Sequence, residues 1–499
     1  MSPRRAYRPA FDRLDDRVVL SVSPMSPAQI RQAYAVNINF TVGGRTFSAD
    51  GTGQTIAIVT AGLDPTILSD LQIFDRWYGL AAPNFRSVYF PGAQYNSTKG
   101  WCEETGLDVE WAHAIAPGAS ILLVQAASTS FNDLTTAVDW ARRQPGVSVV
   151  SMSWVFAVSS SYHGFDGYFT TPSGHNGVTF VAASGDNGAW TSPSKTQVGV
   201  SWPAVVPTVL AVGGTSLNVD SRGNYLGESA WSGGGGGYSR YYAEPSYQRG
   251  FQNTGVRTVP DVAYDADPNY SGVSMYDSNN GGWLTIGGTS AGAPQWAGLI
   301  ALANQGRALA GLGSLDGASQ TLPSVYKFAG DFHDIVSGSN GYRATAGYDV
   351  ATGLGTPNAL RVAGDLAFHA VTSYITYAAA PANSGATGES SSPLALARVP
   401  ATEARATLEA ARLVDGKSAL ARLAPRRAGA PALMVEAVST FRGRAAMAKL
   451  TEADTPNSAA RSSHDLFDAA LASFLSGDGF AEAVVKSVRT GTVAHALNS

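Results

Sequence analysis

Five short runs in the first half of the chain are apolar at almost every position: QTIAIVTA (54–61), ASILLVQAA (119–127), VSVVSMSW (147–154), GVTFVAAS (177–184) and TVLAVGG (208–214). They are short and rich in β-branched residues, so they read as strands covered on both faces. Between them, PTILSDLQIFDRWYGL and FNDLTTAVDWARRQ carry apolar residues at helical spacing. The alternation, from Ser26 to about Ala370, predicts an α/β fold, a mainly parallel sheet flanked by helices. In such folds, sites gather at the carboxyl ends of the strands.

The pattern changes after Tyr377. AAAPANSGATGESSSP is small and polar and reads as a linker. Beyond it, ATEARATLEAARLVDG and SHDLFDAALASFLSG are alanine-rich, with amphipathic helical spacing and little aromatic content. They read as a loosely folded or partner-dependent C-terminal extension. The chain thus divides into an N-terminal segment (1–25), one α/β body (26–377) and a linker with extension (378–499).

Composition narrows the function classes. The 499 residues are 44 % hydrophobic, only 14 % charged, and include 55 glycines. A net charge of −4 without a long basic run excludes a nucleic-acid partner. No stretch is long and apolar enough for a transmembrane segment. The single cysteine, Cys102, allows no internal disulfide. It stands beside Glu103 and Glu104, whose charges raise a thiol's pKa and weigh against a cysteine nucleophile.

Candidate chemistry starts at WLTIGGTSAGAPQWAGL (283–299), where Ser290 opens a helix-like run of small residues. A serine hydroxyl needs a base. Gly-Thr-Ser followed by small residues and Pro resembles the nucleophile motif of subtilisin-type enzymes. Those place a histidine well before an Ala-Pro turn. Here His113 is only three residues from Ala116-Pro117, too close to serve. Earlier in that stretch, Glu104 and Asp108 are spaced i to i+4, on one helical face. Alone, such a pair is usually a solvated surface; close together, the two carboxyls titrate as a coupled pair. Glu104 could then accept the Ser290 proton, with Asp108 orienting it. Gly106 inside this helix costs about 1 kcal/mol against alanine, so the helix relies on packing. A further buried run ends in Ser184-Gly185-Asp186-Asn187-Gly188, where Asp186 stands where subtilisins carry an oxyanion-hole asparagine. GDNG alone is a common turn. A protonated aspartate, however, can donate a hydrogen bond to an oxyanion. All three carboxyls suit acid pH, where a histidine base is protonated.

Taken in order, MSPAQIRQAYAV, GTGQTIAIVTAGLD, ETGLDVEWAHAIAPGA, SVVSMSWVF, FVAASGDNGAW, VPDVAYDADPNYSG, IGGTSAGAPQWAGL and FHDIVSGSNGYRATAGYDVATGLGTPN resemble the sedolisin family, the serine-carboxyl peptidases. The resemblance implies a subtilisin-like fold and an acid-active serine-type peptidase acting on protein or peptide substrates, as an endopeptidase or a tripeptidyl-peptidase. It implies Ser290 as nucleophile, Glu104 as general base, Asp108 as its hydrogen-bond partner, and Asp186 with the Ser290 N–H as oxyanion hole.

The resemblance also implies one structural Ca2+, held by carboxylates of Asp334 and Asp349 and carbonyls of Ile335, Thr345 and Gly347. Such an all-oxygen shell suits a hard cation. The chain has Thr345-Ala346-Gly347-Tyr348-Asp349 where the family usually has Gly-Pro-Gly-Trp-Asp. Thr60 occupies the place where some members extend the proton relay with a glutamate, while Trp154 in Ser-Met-Ser-Trp matches the family and is expected near Glu104. Residues 1–25 are short beside the family's long prosegment. That shortness, with the C-terminal extension, motivates an alternative: an inactive or zymogen-like surface binding protein on the same fold. The N-terminus MSPRRAYRPAFDRLDDRVVLS resembles the segment ending in Arg-Val-Val-Leu-Ser on many planctomycete extracellular proteins, which implies an extracellular or cell-surface location.

Overall fold

The computed structural model describes residues 24–95, 100–368 and 375–380, together with 434–438 and 447–451. The N-terminal segment to residue 23 and the two alanine-rich stretches of the extension lie outside the described residues.

The apolar runs are the strands of one central sheet. After helix α1 (Pro27–Ala33) and the hairpin β1 (Ile38–Val42) and β2 (Arg45–Ser48), the chain enters that sheet at β3 (Thr55–Ala61). It continues through β4 (Asn84–Tyr89), β5 (Ser120–Ala126), β6 (Val147–Met152), β8 (Thr179–Ala183), β10 (Val209–Val219), β11 (Tyr225–Ala230) and β14 (Val262–Asp265). Two short strands, β7 (Phe156–Ala157) and β9 (Ser201–Trp202), pair with each other beside it. Strand order is β11-β10-β8-β6-β3-β5-β4, with β14 also on β10. Every pairing is parallel except β10 with β11.

Burial on both faces explains the unbroken apolar runs. Ile56 and Ile58 of β3, Ile121 and Leu123 of β5, and Leu210 and Val212 of β10 enter one core. Their neighbours Ala57, Val59, Leu122, Val124, Val209 and Ala211 enter the other. Each core forms as successive side chains point to opposite faces. Helices α2 (Ile67–Tyr78), α3 (Gly100–Ile115) and α5 (Thr289–Leu309) contribute to the first core, and α4 (Phe131–Ala141) to the second.

Helices α3 and α5 are central rather than peripheral. Thirteen of the 16 residues of α3 and 19 of the 21 of α5 are buried. They cross closely because Gly298 has no side chain; a Cβ there would lie 2.8 Å from Ile115 Cβ. Packing of this extent offsets the helical cost of Gly106, which itself rests against Met275. A pair of strands, β12 (Gly237–Ala243) and β13 (Val256–Val259), and a hairpin, β15 (Val273–Asp277) and β16 (Gly282–Ile286), lead towards α5. After it come α6 (Leu322–Lys327), the pair β17 (Phe332–His333) and β18 (Thr356–Pro357), and α7 (Ala359–Phe368).

The described body closes with β19 (Ile375–Ala379), antiparallel to β1 in register Ile38 to Ala379. The composition change at Tyr377 therefore falls inside a strand, and the first two residues read as linker, Ala378 and Ala379, belong to it. Alanine carries too little side chain to signal an edge strand. A separate unit, residues 416–499, contributes the antiparallel hairpin β20 (Met434–Val438) and β21 (Met447–Thr451). Among the described residues, no helix is long and apolar enough to cross a membrane.

Candidate active site

Four segments distant in sequence meet at the carboxyl ends of β6 and β8. Ser290 stands in the first turn of α5, 8 % exposed. Its N–H lies among the first-turn donors that have no intrahelical acceptor. Gly288 precedes the helix with φ +97°, and a Cβ there would come 2.6 Å from Asp186 Oδ2. Only glycine fits that turn while an aspartate lies over it.

Glu104 and Asp108 project from α3 and are 4 % and 0 % exposed. Burial, and then the neighbouring Asp108 carboxyl, raise the Glu104 pKa well above the ordinary carboxylate range. The nearby Ser290 and Ser153 hydroxyls pull it down, while the Asp186 charge adds to the rise. Burial likewise raises Asp108, opposed by its bond from Ser153. Glu104 Oε1 and Asp108 Oδ2 are buried and have no hydrogen-bond partner among the described residues. A proton shared between two carboxyls spaced i to i+4 would satisfy both atoms.

Asp186 follows β8. Its Oδ1 accepts hydrogen bonds from the Thr289 N–H and the Thr289 hydroxyl, both 2.8 Å. The same hydroxyl accepts from the Gly185 N–H at 3.1 Å, tying the loop to the start of α5. Crowding by protein raises the Asp186 pKa and the Thr289 bonds lower it again. The side chain is exposed to solvent, which tempers the crowding and keeps the carboxyl accessible.

Two hydroxyls join the site that sequence reasoning had left without a role, Ser153 and Thr289. Ser153 follows β6 and donates to Asp108 Oδ1 at 2.6 Å. Both residues sit inside motifs noticed for their neighbours, Ser-Met-Ser-Trp and Gly-Thr-Ser. Trp154 does not carry its polar contact to Glu104: its indole N–H donates to the Val59 carbonyl at 3.0 Å. Thr60, next to it, is fully buried.

Two other residues weighed from sequence lie apart from these contacts. His113 is buried between α3 and α2, with Nε2 at 3.0 Å from the Ala81 carbonyl and 3.4 Å from Asp75. Burial lowers its pKa. The Cys102 thiol is pushed up to about 12 by burial and then by Asp64 and Asp277.

A model of the subtilase family matches residues 92–312. Kumamolisin of Bacillus sp. (strain MN-32) is 36 % identical over 371 residues, covering 68 % of this chain and 62 % of the relative. Sedolisin of Pseudomonas sp. (strain 101) is 32 % identical over 337 residues, covering 60 % and 56 %. The chain is similar in sequence to members of the sedolisin family. Pseudomonas sedolisin, a serine-carboxyl proteinase solved with two molecules of pseudo-iodotyrostatin, superposes with a TM-score of 0.59 at 28 % identity. That superposition covers all of the solved sedolisin chain and 70 % of this one, so both share the subtilisin-like fold. The chain spans 62 % and 56 % of the lengths of the two curated sedolisin relatives.

The stretch expected from the sequence to hold a cation lies after β17. Asp334 Oδ2 accepts from the Gly347 N–H at 2.9 Å, and Asp349 Oδ2 from the Thr345 N–H at 2.7 Å. Both carboxylates thus lean on one loop from opposite ends. Asp349 Oδ1 also caps the Ala351 and Thr352 N–H groups. Among the described residues, the carbonyls of Ile335, Thr345 and Gly347 accept no hydrogen bond. Two carboxylates and three open carbonyls fit a hard cation. Among the described residues no cluster of three or more His, Cys, Asp or Glu side chains could hold a metal, so a site here depends on its carbonyls.

Proposed function

We propose that the chain is an acid-active serine-type peptidase in which Ser290 attacks the peptide carbonyl and Glu104 takes the hydroxyl proton. The observation that carries this reading is the convergence of Ser290, at the start of α5, with two buried acids of α3: Ser153 donates to Asp108 Oδ1 and lies 3.5 Å from the Ser290 carbonyl. No histidine among the described contacts takes that place.

In the working state the Glu104–Asp108 pair holds one proton and one negative charge. The shared proton lies between Glu104 Oε1 and Asp108 Oδ2, and Glu104 accepts the Ser290 proton on its other oxygen. Attack forms the bond from Ser290 Oγ to the carbonyl carbon and moves charge to the carbonyl oxygen. Protonated Asp186 and the Ser290 N–H donate to that oxygen. Glu104 then gives its proton to the leaving amine as the carbon–nitrogen bond breaks, leaving an acyl group on Ser290. Water, deprotonated by Glu104, releases it in the reverse sense.

Asp334, Asp349 and the carbonyls of Ile335, Thr345 and Gly347 would hold a calcium ion. When bound, the ion supplies structural cross-linking of residues 334–349, with no part in bond breaking.

The test is cleavage of a denatured protein across pH ~2.5 to 8, a range that spans the titration of the carboxyls. Wild type is compared with Ser290→Ala and Glu104→Gln. Activity confined to acid pH, with losses of at least about a thousandfold in both variants, supports the reading. A folded wild type inactive throughout, and unlabelled at Ser290 by a fluorophosphonate, sinks it in favour of a non-catalytic binding protein.

A further inference from the structure

The peptidase reading leaves one buried contact unassigned, and the inference rests on that reading. We propose that Ser153 is a positioning residue: its hydroxyl anchors Asp108 so that the acid pair presents Glu104 to the nucleophile. Ser153 follows β6, in the middle of the sheet between β3 and β8, and is 6 % exposed.

A serine hydroxyl has one proton to give. Ser153 gives it to Asp108 Oδ1 at 2.6 Å; the Ser290 carbonyl lies at 3.5 Å, the outer limit of a hydrogen bond. With Oδ1 occupied, only Oδ2 remains for the proton shared with Glu104. The Asp108 carboxyl can no longer turn about its own axis. The shared proton then stays on one side of Glu104, and the other side stays open to Ser290.

The charge balance gives Ser153 a second consequence. The largest influences on the pair are burial, the two carboxyls themselves, Asp186, and the hydroxyls of Ser290 and Ser153. None of these is a cation, so hydroxyl donors are what stabilise its negative charge. During turnover Ser290 becomes an ester and stops donating. Ser153 is the donor that persists through the acyl-enzyme, when Glu104 must act again as base towards water. Losing it should therefore slow deacylation as well as acylation.

The experiment measures kcat, KM and their pH dependence for wild type, Ser153→Ala and Ser153→Thr, with melting temperatures to establish folding. Ser153→Ala should lower kcat about 10- to 100-fold, as for other residues that orient a reacting group, with KM unchanged. Removing a hydrogen bond to charge should move the acid limb of kcat/KM up by about one pH unit. Ser153→Thr should restore both towards wild type. A folded Ser153→Ala with an unshifted profile, or with a change in KM alone, overturns the proposal.

If wild type itself is inactive, the peptidase reading fails and the anchoring is judged separately. Infrared titration of the buried carboxyls then compares wild type with Ser153→Ala. A displaced midpoint supports anchoring of Asp108; identical titrations overturn it.

Discussion

At the scale of single residues, the site depends on which carboxyls carry protons. Asp186 can donate to an oxyanion only when neutral, and its raised pKa extends that state upward. An asparagine there would accept from Thr289 through its oxygen and donate through its nitrogen, with nothing to titrate. Asp186→Asn should therefore keep activity within about tenfold of wild type and carry the alkaline limb of kcat/KM to higher pH. Asp186→Ala should lose about 100- to 1,000-fold, the usual cost of one oxyanion donor. A pH–rate profile of both variants checks this, and an alkaline limb unmoved by Asp186→Asn would assign that limb to the acid pair instead. Residue identity was legible where chemistry restricts it. Ser290, Glu104, Asp108 and Asp186 could be singled out because a serine opening a run of small residues, an i to i+4 acid pair and an aspartate in a glycine loop each leave a local pattern. Ser153 and Thr289 could not, since a hydroxyl at a strand end or helix start has no spacing of its own. Their roles come from the elements that fold against them.

At the scale of elements, α3 carries acids on two faces. Glu104 and Asp108 face α5, while Glu110 is fully buried elsewhere on the helix, accepting from the Tyr276 N–H at 3.1 Å. Burial raises the Glu110 pKa, and the charges of Asp70, Asp75 and Asp277 raise it further. Asp75, on α2, is pushed by burial to about 7. A carboxyl whose folded pKa is raised keeps its full stabilisation below the unfolded pKa, near 4.3 for glutamate. That stabilisation is lost as pH rises from there through the folded value. The packing of α3 against α2 and β15 should thus weaken towards neutral pH. Glu110→Gln keeps the acceptor for Tyr276 without the titration. It should raise the melting temperature at pH ~7 by about 3 °C or more and change it little at pH ~3. Calorimetry at the two pH values decides, and an equal shift at both would remove the titration from the explanation. The same scale shows what patterning can reach. All five apolar runs became strands of the central sheet, and both helical patterns became α2 and α4. Strand β4 escaped because it is an edge strand with mostly exposed residues, and β19 because its end is alanine.

At the scale of the whole molecule, stability is shared between the close crossing of α3 with α5 and the loops that cover the strand ends. The 334–349 loop is tied mainly by two carboxylates, so a bound cation should be worth measurable stability. At a free concentration a hundredfold above its dissociation constant, an ion contributes about 2.7 kcal/mol. Chelation should then lower the melting temperature by about 3 °C, and Asp349→Asn should abolish the response. Circular dichroism with and without chelator tests this; identical melting curves for wild type would show that no ion is held. One architectural feature reaches further. The pairing of β1 with β19 joins the opening of the α/β body to its close, across nearly its entire length in sequence. On the ribosome, β1 emerges early and must wait for its partner until every residue of the proposed site has been made. Completion of this sheet is therefore a late event in biosynthesis, and a nascent chain arrested before residue 375 carries Ser290 in a body that has not been sealed.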